Sequence, residues 1–234
     1  MPNPQRLKTD LQFLFTLVLD MQDHGRRLMA PFIEQNIRVG IDNENKSSER
    51  IRIVNDEERS ILLLTWNAIV YVQEHVGDAD ILKGSELPKL IKIKESLQKL
   101  ESFGHFLSVH LESAWHLPVQ IEPVEFSKGL VGYVPPGPVE LVDSAISLQL
   151  KDANGQHNIL YGPFLQEDIQ KNSLRPFDKM PPSELLNNPW GLLIVYSHDV
   201  KVSDPSLIHL KKLLDYERQF NDFILDRVRN GGDN

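Results

Sequence analysis

The feature that most constrains this chain is a run of apolar residues between positions 85 and 117, spaced alternately three and four residues apart. The run comprises Leu90, Ile93, Leu97, Leu100, Gly104, Leu107, Leu111 and Ala114. This spacing is typical of a helix that buries one stripe against partner helices. Ser85 suits the N-cap and Pro118 would end the helix. The pattern therefore predicts one long helix over residues 85–117, roughly 45 Å in length.

Two further helices are predicted in the first half of the chain. Residues 10–30 carry a second stripe with the same spacing. The glycines on the two stripes, Gly25 and Gly104, indicate either a close helix crossing or, as the alternative, a local kink or coincidence. Residues 55–76 begin with a capping-box pattern, Asn55 and Glu58, and continue with a stretch that is apolar on all sides. A buried strand is the alternative there, but the cap favours a helix. Alternation over residues 37–54 predicts a short β-hairpin between these two helices.

Beyond residue 117 the periodicity changes from helical to alternating. Residues 146–161 alternate around the turn that ends at Gly155, which predicts a hairpin, and residues 190–197 form a continuous apolar run typical of a central strand. Asp204 and Pro205 favour a last helix over 205–229. The predicted fold is thus α+β: an N-terminal helical bundle over 1–117 with a long heptad-patterned helix, then a small, mainly antiparallel sheet and the C-terminal helix over 118–234.

Composition narrows the classes of partner. Among the 234 residues, 41% are hydrophobic and 25% are charged, as in globular proteins. The formal net charge of −8 argues against binding nucleic acid or an anionic membrane over the whole surface. No apolar run approaches the roughly 18 residues that a membrane-spanning helix needs. The chain has no cysteine, which excludes disulfides and thiolate metal ligands and fits a cytoplasmic location.

The candidate chemistry is sparse. Signature motifs of P-loop, dinucleotide-binding, zincin and serine-hydrolase sites are missing from the sequence, so no catalytic residue and no cofactor is assigned. On the predicted long helix, Glu101, His105, Glu112 and His116 would lie within about 60° of one another. Carboxylate and imidazole groups in that arrangement could hold a metal ion. Because such pairs are common on solvated helix faces, the sequence favours no metal there.

Smaller polar groups offer further candidates. His110 flanks the long stripe and is expected to be a hydrogen-bonded core residue, and His198-Asp199 ends the predicted central strand, where sites often lie. A possible acid–base cluster on the first helix consists of Asp20, Asp23, His24 and Arg27. Two basic groups could bind a partner: Arg38, Arg50 and Arg52 on the hairpin, and Lys89, Lys92 and Lys99 on the long helix.

These patterns favour a non-enzymatic protein that interacts with other proteins, such as an adaptor or assembly subunit. A metal-dependent hydrolase or nuclease using the Glu/His face, or a nucleic-acid-associated accessory subunit, is the alternative. A 45 Å stripe has more apolar surface than one short helix can cover, so self-association as a homodimer, or a stable hetero-complex, is expected.

Overall fold

One antiparallel sheet forms the centre of the structure. The computed structural model describes residues 5–18, 21–30, 37–40, 49–55, 59–77, 86–118, 145–153, 155–165 and 190–230. Within this part of the chain the strands are β1 (Gln5–Phe15), β2 (Ile37–Gly40), β3 (Glu49–Asn55), β4 (Ser60–Thr65), β5 (Ala68–Gly77), β6 (Phe106–Pro118), β7 (Ile146–Lys151), β8 (Gly155–Leu165) and β9 (Trp190–Lys201). The helices are α1 (Met21–Met29), α2 (Glu86–Leu97) and α3 (Leu207–Asn230).

The strand order is β2-β3-β4-β5-β1-β6-β9-β8-β7, and every neighbouring pair is antiparallel. The two halves of the chain are connected in the same way. In each half a first strand, β1 or β6, is followed by a meander whose last strand, β5 or β9, returns to pair with it. A helix, α2 or α3, comes next. Since β1 and β6 pair with each other in the middle, the two meanders extend in opposite directions from one central ladder.

The three helices cover one face of the sheet. Leu28 of α1, Ile93 of α2 and Leu213 of α3 belong to a single buried cluster that also contains Leu11 and Phe13 of β1. Two smaller clusters lie on the other face, one around Leu7 and one around residues of β3, β4 and β5. No helix among the described residues is long and apolar enough to cross a membrane.

The prediction of an N-terminal helical bundle is wrong, because the fold is dominated by its sheet. Residues 5–15 form β1, and α-helix within the described part of the predicted first helix covers residues 21–29. The side chains of β1 alternate: Leu11, Phe13 and Phe15 are buried, and Gln12 and Leu14 between them are half-buried on the other face. The same residues therefore fit both a two-residue period and a heptad spacing. They form a strand because β5 and β6 pair with β1 on both sides.

The apolar part of the second helix predicted over residues 55–76 is instead the β4–β5 hairpin, which covers residues 60–77. A tight turn joins Thr65 to Ala68, where the Thr65 hydroxyl donates to the Ala68 carbonyl at 3.2 Å and accepts from the Asn67 amide at 3.4 Å. The segment is apolar on both faces because both are covered: Leu62 and Leu64 join the main core, while Ile61 joins the smaller outer cluster. Burial on two faces removes the alternation that normally identifies a strand.

The prediction of one long helix over residues 85–117 is also wrong, because only its first part is helical among the described residues. Helix α2 ends at Leu97, a turn follows, and residues 106–118 form β6. Leu90, Ile93 and Leu97 of the stripe are buried as a helix face, but Leu107 is half exposed because it lies on a strand. Gly104 sits in the turn, where it faces the side chain of Thr16 rather than a second helix.

Several C-terminal elements coincide with the sequence patterns. β7 and β8 pair as the hairpin expected around residues 152–155, β9 contains the apolar run at 190–197, and α3 follows Asp204 and Pro205. β2 and β3 pair as expected from the alternation over residues 37–54. One sheet joins strands from both sides of residue 117, and the division of the chain at that residue stays a prediction.

A buried ion pair connects the sheet to α3. The register of β1 shifts between Arg6 and Lys8, so Arg6 points towards the helices while Leu7 packs on the opposite face. The Arg6 guanidinium lies 2.7 Å from the Glu217 carboxylate and 4.4 Å from the centre of the Trp115 ring, and the Trp115 indole donates to the same carboxylate at 2.8 Å. Charge pairing and hydrogen bonding together offset the cost of removing both ions from water.

We predict that Gly25→Ala destabilises the protein by about 1–3 kcal/mol although alanine is the better helix former. A methyl group at position 25 would overlap Cδ1 of Ile51 and lie 3.0 Å from its Cγ1. Ile51→Val removes Cδ1, so adding Gly25→Ala to that variant should cost much less. Urea unfolding of the four proteins measures this coupling, and equal costs in both backgrounds would contradict the close contact.

A second prediction concerns the buried ion pair. Glu217→Gln should lower the free energy of unfolding by about 3–5 kcal/mol, because it leaves the Arg6 charge buried without its counterion. The double variant Arg6→Met/Glu217→Leu should be more stable than Glu217→Gln, since it removes both charges. Chemical denaturation checks the order. A double variant less stable than Glu217→Gln would show that breaking the ion pair is not the main cause of the destabilisation.

Candidate functional site

The candidate site lies at one end of the sheet, which we call the cavity end. Here β1, β7 and β9 finish and β6, β8 and α3 begin. The amide of Val202 donates to the Leu107 carbonyl, and that of Thr16 donates to the His105 carbonyl. The side chain of Lys94 on α2 binds Asp204, and this hydrogen bond is the main reason why the pKa of Asp204 is lowered. Five segments distant in sequence therefore converge at this end.

A cavity of about 700 Å³ opens at the cavity end between the β7–β8 turn, the last residues of β9 and the first three turns of α3. Three lysines line it, Lys151, Lys201 and Lys212, together with Asp152 and Asp199, whose carboxylate binds His110. His198 contributes a ring to the lining. The volume is within the range of pockets that hold small ligands.

Asp152 is held in a fixed orientation by the turn that it begins. The backbone amide of Gly155 donates to Oδ1 of Asp152 at 2.9 Å, and the Asp152 amide donates to the Gly155 carbonyl at 3.0 Å. This side-chain-to-backbone bond is the usual way in which aspartate stabilises a tight turn. It directs the other carboxylate oxygen, Oδ2, towards Nε2 of His157 at 3.4 Å.

His157 is enclosed between this carboxylate and the core. It lies on β8, it is 3% exposed, and its Nδ1 is 3.0 Å from the hydroxyl of Tyr196 on β9. Burial is the main cause that raises the pKa of the Tyr196 hydroxyl, which therefore remains protonated at neutral pH. Both ring nitrogens of His157 thus have defined neighbours, and the ring cannot turn over without losing them.

His198 is stacked on His157, with ring centres 3.7 Å apart and an angle of 28° between the planes. It is fully buried, and neither of its ring nitrogens has a hydrogen-bond partner within the part of the chain that the structure describes. Burial lowers the pKa of His198 to about 4, with a further contribution from the neighbouring His157. A buried neutral imidazole without partners is costly, which makes His198 the least satisfied polar side chain of the site.

Aromatic side chains of α3 close the site on its inner side. The ring of Tyr216 lies 5.3 Å from that of His157 and 5.5 Å from that of His198, both nearly perpendicular, and Phe220 lies 5.3 Å from His157. These contacts exclude water from the histidine pair on the helical side and leave the cavity as its open side. One carboxylate oxygen and one nitrogen from each imidazole lie within 4.8 Å of one another, a donor set that suits a divalent transition metal.

The four residues proposed from the sequence as a metal-binding helix face do not share a helix. Glu101 and His105 are exposed in the turn after α2, whereas Glu112 and His116 lie on β6. Within the described residues, the group of potential metal ligands that converges contains none of them. His116 is fully buried, and burial lowers its pKa to about 4.

The other sequence candidates are dispersed. His110 Nδ1 lies 2.8 Å from Oδ1 of Asp199, on the face of the sheet that the helices do not cover. In the proposed acid–base cluster, Asp20 lies outside the described residues, as does the side chain of Asp23. His24 is half-buried and Arg27 exposed on α1.

The proposed basic groups also lie apart from the cavity. The side chains of Arg38 and Arg50 lie outside the described part of the chain, and Arg52 is half-buried on β3. Lys89 is half-buried on α2 and Lys92 is exposed there, while Lys99 is exposed in the turn that follows. None of these described lysines lines the cavity.

The sequence patterns indicated His198 and the turn at residues 152–155 as candidates, but not His157. A signal was present, because His157 continues the alternation of Ile159 and Tyr161, and His198 likewise continues that of Ile194 and Tyr196. Two histidines at buried positions of adjacent strands indicate a polar pair inside the core. Their pairing became visible only with the β8–β9 register, which places His157 opposite His198.

Comparisons with known proteins do not assign the chain to a family. No protein-family model matches the chain, and no curated protein matches it.

We predict that stability falls between pH 6.5 and 4 because of His116 and His198. In the unfolded chain a histidine binds a proton near pH 6.5, whereas in the folded protein the pKa of each is about 4. The unfolded state therefore binds more protons in this window, and the free energy of unfolding drops as the pH is lowered, by roughly 3 kcal/mol per histidine at most.

Urea unfolding at pH 7 and pH 5 measures this dependence. His116→Gln and His198→Gln should each reduce the loss between the two pH values, while the exposed control His105→Gln should retain it. The same pH dependence in all four proteins would contradict the assignment.

Proposed function

We propose that this protein is a non-catalytic subunit of a protein complex, located in the cytoplasm, and that a different protein binds at its cavity end. The observation that carries the proposal is the position of its exposed apolar side chains. Of the seven large hydrophobic residues exposed in the described part of the chain, five lie at the cavity end: Leu17, Leu107, Leu150, Leu207 and Ile208. Concentration of apolar side chains at one place on a surface is characteristic of an interface.

The degree of exposure supports this assignment. Ile208 is 69% exposed in the first turn of α3, and Leu107 is 47% exposed at the start of β6. Neither position is required to be apolar by the core. The two segments are adjacent, because Leu107 bonds through its carbonyl to Val202, just before α3 begins. A partner that covers both would remove apolar surface from water, which stabilises a complex by about 25 cal/mol per Å².

The charges around this surface indicate what kind of partner would bind. Lys151, Lys201 and Lys212 are exposed beside the apolar residues, on a chain whose net charge is −8. A symmetric homodimer through this end would bring the same lysines of two copies together, which is unfavourable. A different protein that presents apolar residues flanked by carboxylates matches both features. The absence of cysteine from the sequence supports a reducing compartment, as in the cytoplasm.

Site-specific photo-cross-linking in source cells tests the proposal. Benzoylphenylalanine placed at position 107 or 208 should cross-link to a different protein, and placed at position 223 it should not. Phe223 is a matched control because it is 48% exposed on the same helix, about 22 Å further along it. An adduct of twice the chain mass of 26.8 kDa would indicate self-association instead, and no adduct at positions 107 and 208 would overturn the interface.

We also predict that Lys201→Glu reduces the cross-linking yield from position 208 at least about fivefold, because it reverses a charge beside the interface. Lys92→Glu makes the same charge change on α2, away from the cavity lining, and should leave the yield within about twofold. Quantification of the adducts compares the two variants. A stronger effect of Lys92→Glu would move the interface to α2.

A further inference from the structure

We propose that Asp152, His157 and His198 form a binding site for a divalent transition metal ion, for which Zn²⁺ is the best match. The inference does not depend on the proposed protein partner. It departs from the sequence-based expectation of no metal, which considered only the Glu/His residues at positions 101–116. It rests on the distances between the donor atoms, on the orientation of each ligand and on the unsatisfied nitrogens of His198.

The distances are close to those of a coordination sphere. Oδ2 of Asp152 and Nε2 of His157 are 3.4 Å apart, and the potential ligand atoms of all three residues lie within 4.8 Å of one another. Bonds of about 2.1 Å around a tetrahedral Zn²⁺ place neighbouring ligand atoms about 3.4 Å apart. One edge of the tetrahedron therefore already has the right length. The His198 ring, which is stacked on His157, would have to tilt out of the stack as well as shift by roughly 1–1.5 Å to complete the others.

The neighbours of His157 and Asp152 orient them as ligands. The Tyr196 hydroxyl can accept a hydrogen bond from Nδ1–H of His157, which leaves the lone pair of Nε2 directed towards Asp152. A metal-binding histidine usually donates its second ring nitrogen to an oxygen in this way, which fixes the tautomer. Asp152 is oriented by the Gly155 amide on Oδ1, so that Oδ2 is the oxygen directed towards His157.

His198 supplies the independent indication of a ligand. Its ring is fully buried at the cavity wall, and within the described residues neither ring nitrogen is hydrogen-bonded. Burial keeps it neutral, which is the form that binds metals. Gly155 leaves room beside it, because a Cβ at position 155 would lie 3.1 Å from Nε2 of His198 and overlap the Asp199 carbonyl oxygen. A metal ion bonded to one nitrogen would compensate for the lost hydration of that atom.

The identity of the metal follows from the donors. Two neutral imidazoles and one carboxylate suit Zn²⁺, Co²⁺, Ni²⁺ or Cu²⁺, whereas Mg²⁺ and Ca²⁺ prefer oxygen ligands. Three protein ligands leave one position of a tetrahedral site for water or another ligand. The cavity is the open side of this site, and its three lysines would favour an anionic fourth ligand.

Titration of the full chain with Zn²⁺ and with Co²⁺ tests the proposal. One equivalent of Zn²⁺ should bind with a micromolar or lower Kd, and Co²⁺ should give the intense visible absorption of a tetrahedral site. His198→Asn and Asp152→Asn should each weaken Zn²⁺ binding more than about 100-fold, beyond the 10–100-fold typical of losing an outer-shell partner, and Tyr196→Phe should weaken it about 10-fold. His209→Asn, which alters another histidine of the cavity lining, should bind as the wild type does.

Thermal unfolding provides a second readout. Saturating Zn²⁺ should raise the Tm of the wild type and of His209→Asn but not that of Asp152→Asn, whose side chain lies in an exposed turn and is not part of the core. Absence of saturable binding by the wild type would overturn the proposal. So would binding that is unchanged in His198→Asn and Asp152→Asn, or lost in His209→Asn. Cross-linking from position 208 is measured separately, so each proposal can fail without the other.

Discussion

The pairing of β1 with β6 is the interaction on which the rest of the structure depends. It is the ladder that joins the two meanders, and it aligns residues about 100 positions apart, such as Leu11 with Leu111. The bulge beside Arg6 belongs to this ladder, and it turns one charged residue inward to meet Glu217 of α3. Central strand pairing and helix docking are thereby coupled through a single ion pair.

The same coupling positions the cavity end. α3 begins six residues after β9 ends, and the two elements run back along each other, so that Tyr216 and Phe220 of α3 cover the histidines of β8 and β9. Glu217, next to Tyr216, is anchored by Arg6 and Trp115 in the middle of the sheet. A change that released Glu217 would therefore also loosen the aromatic cover of the site.

Sequence periodicity predicted the C-terminal part of the fold much better than the N-terminal part. The β7–β8 hairpin and α3 have local signals, a turn at Asp152 to Gly155 and a proline at position 205, that do not depend on distant partners. In β1 and β6 the same letters satisfy both a heptad and an alternation, because apolar residues are frequent enough to fit either. Pairing with strands that are distant in the sequence decides between helix and strand here. That pairing cannot be deduced from the periodicity of one sequence.

The candidate site was predictable only in fragments for the same reason. The turn at residue 152 and the dipeptide at 198 could each be noticed, but nothing local indicates that His157 lies opposite His198. Their proximity results from strand register, which is set by hydrophobic burial along the whole β8–β9 ladder. Once the register is known, the chemical role of the site is limited to two alternatives, because stacked buried imidazoles beside an oriented carboxylate have few stable arrangements. One is a neutral pair that loses stability in acid, and the other is a metal site, in which the ion bonds the nitrogen that the folded chain leaves without a partner.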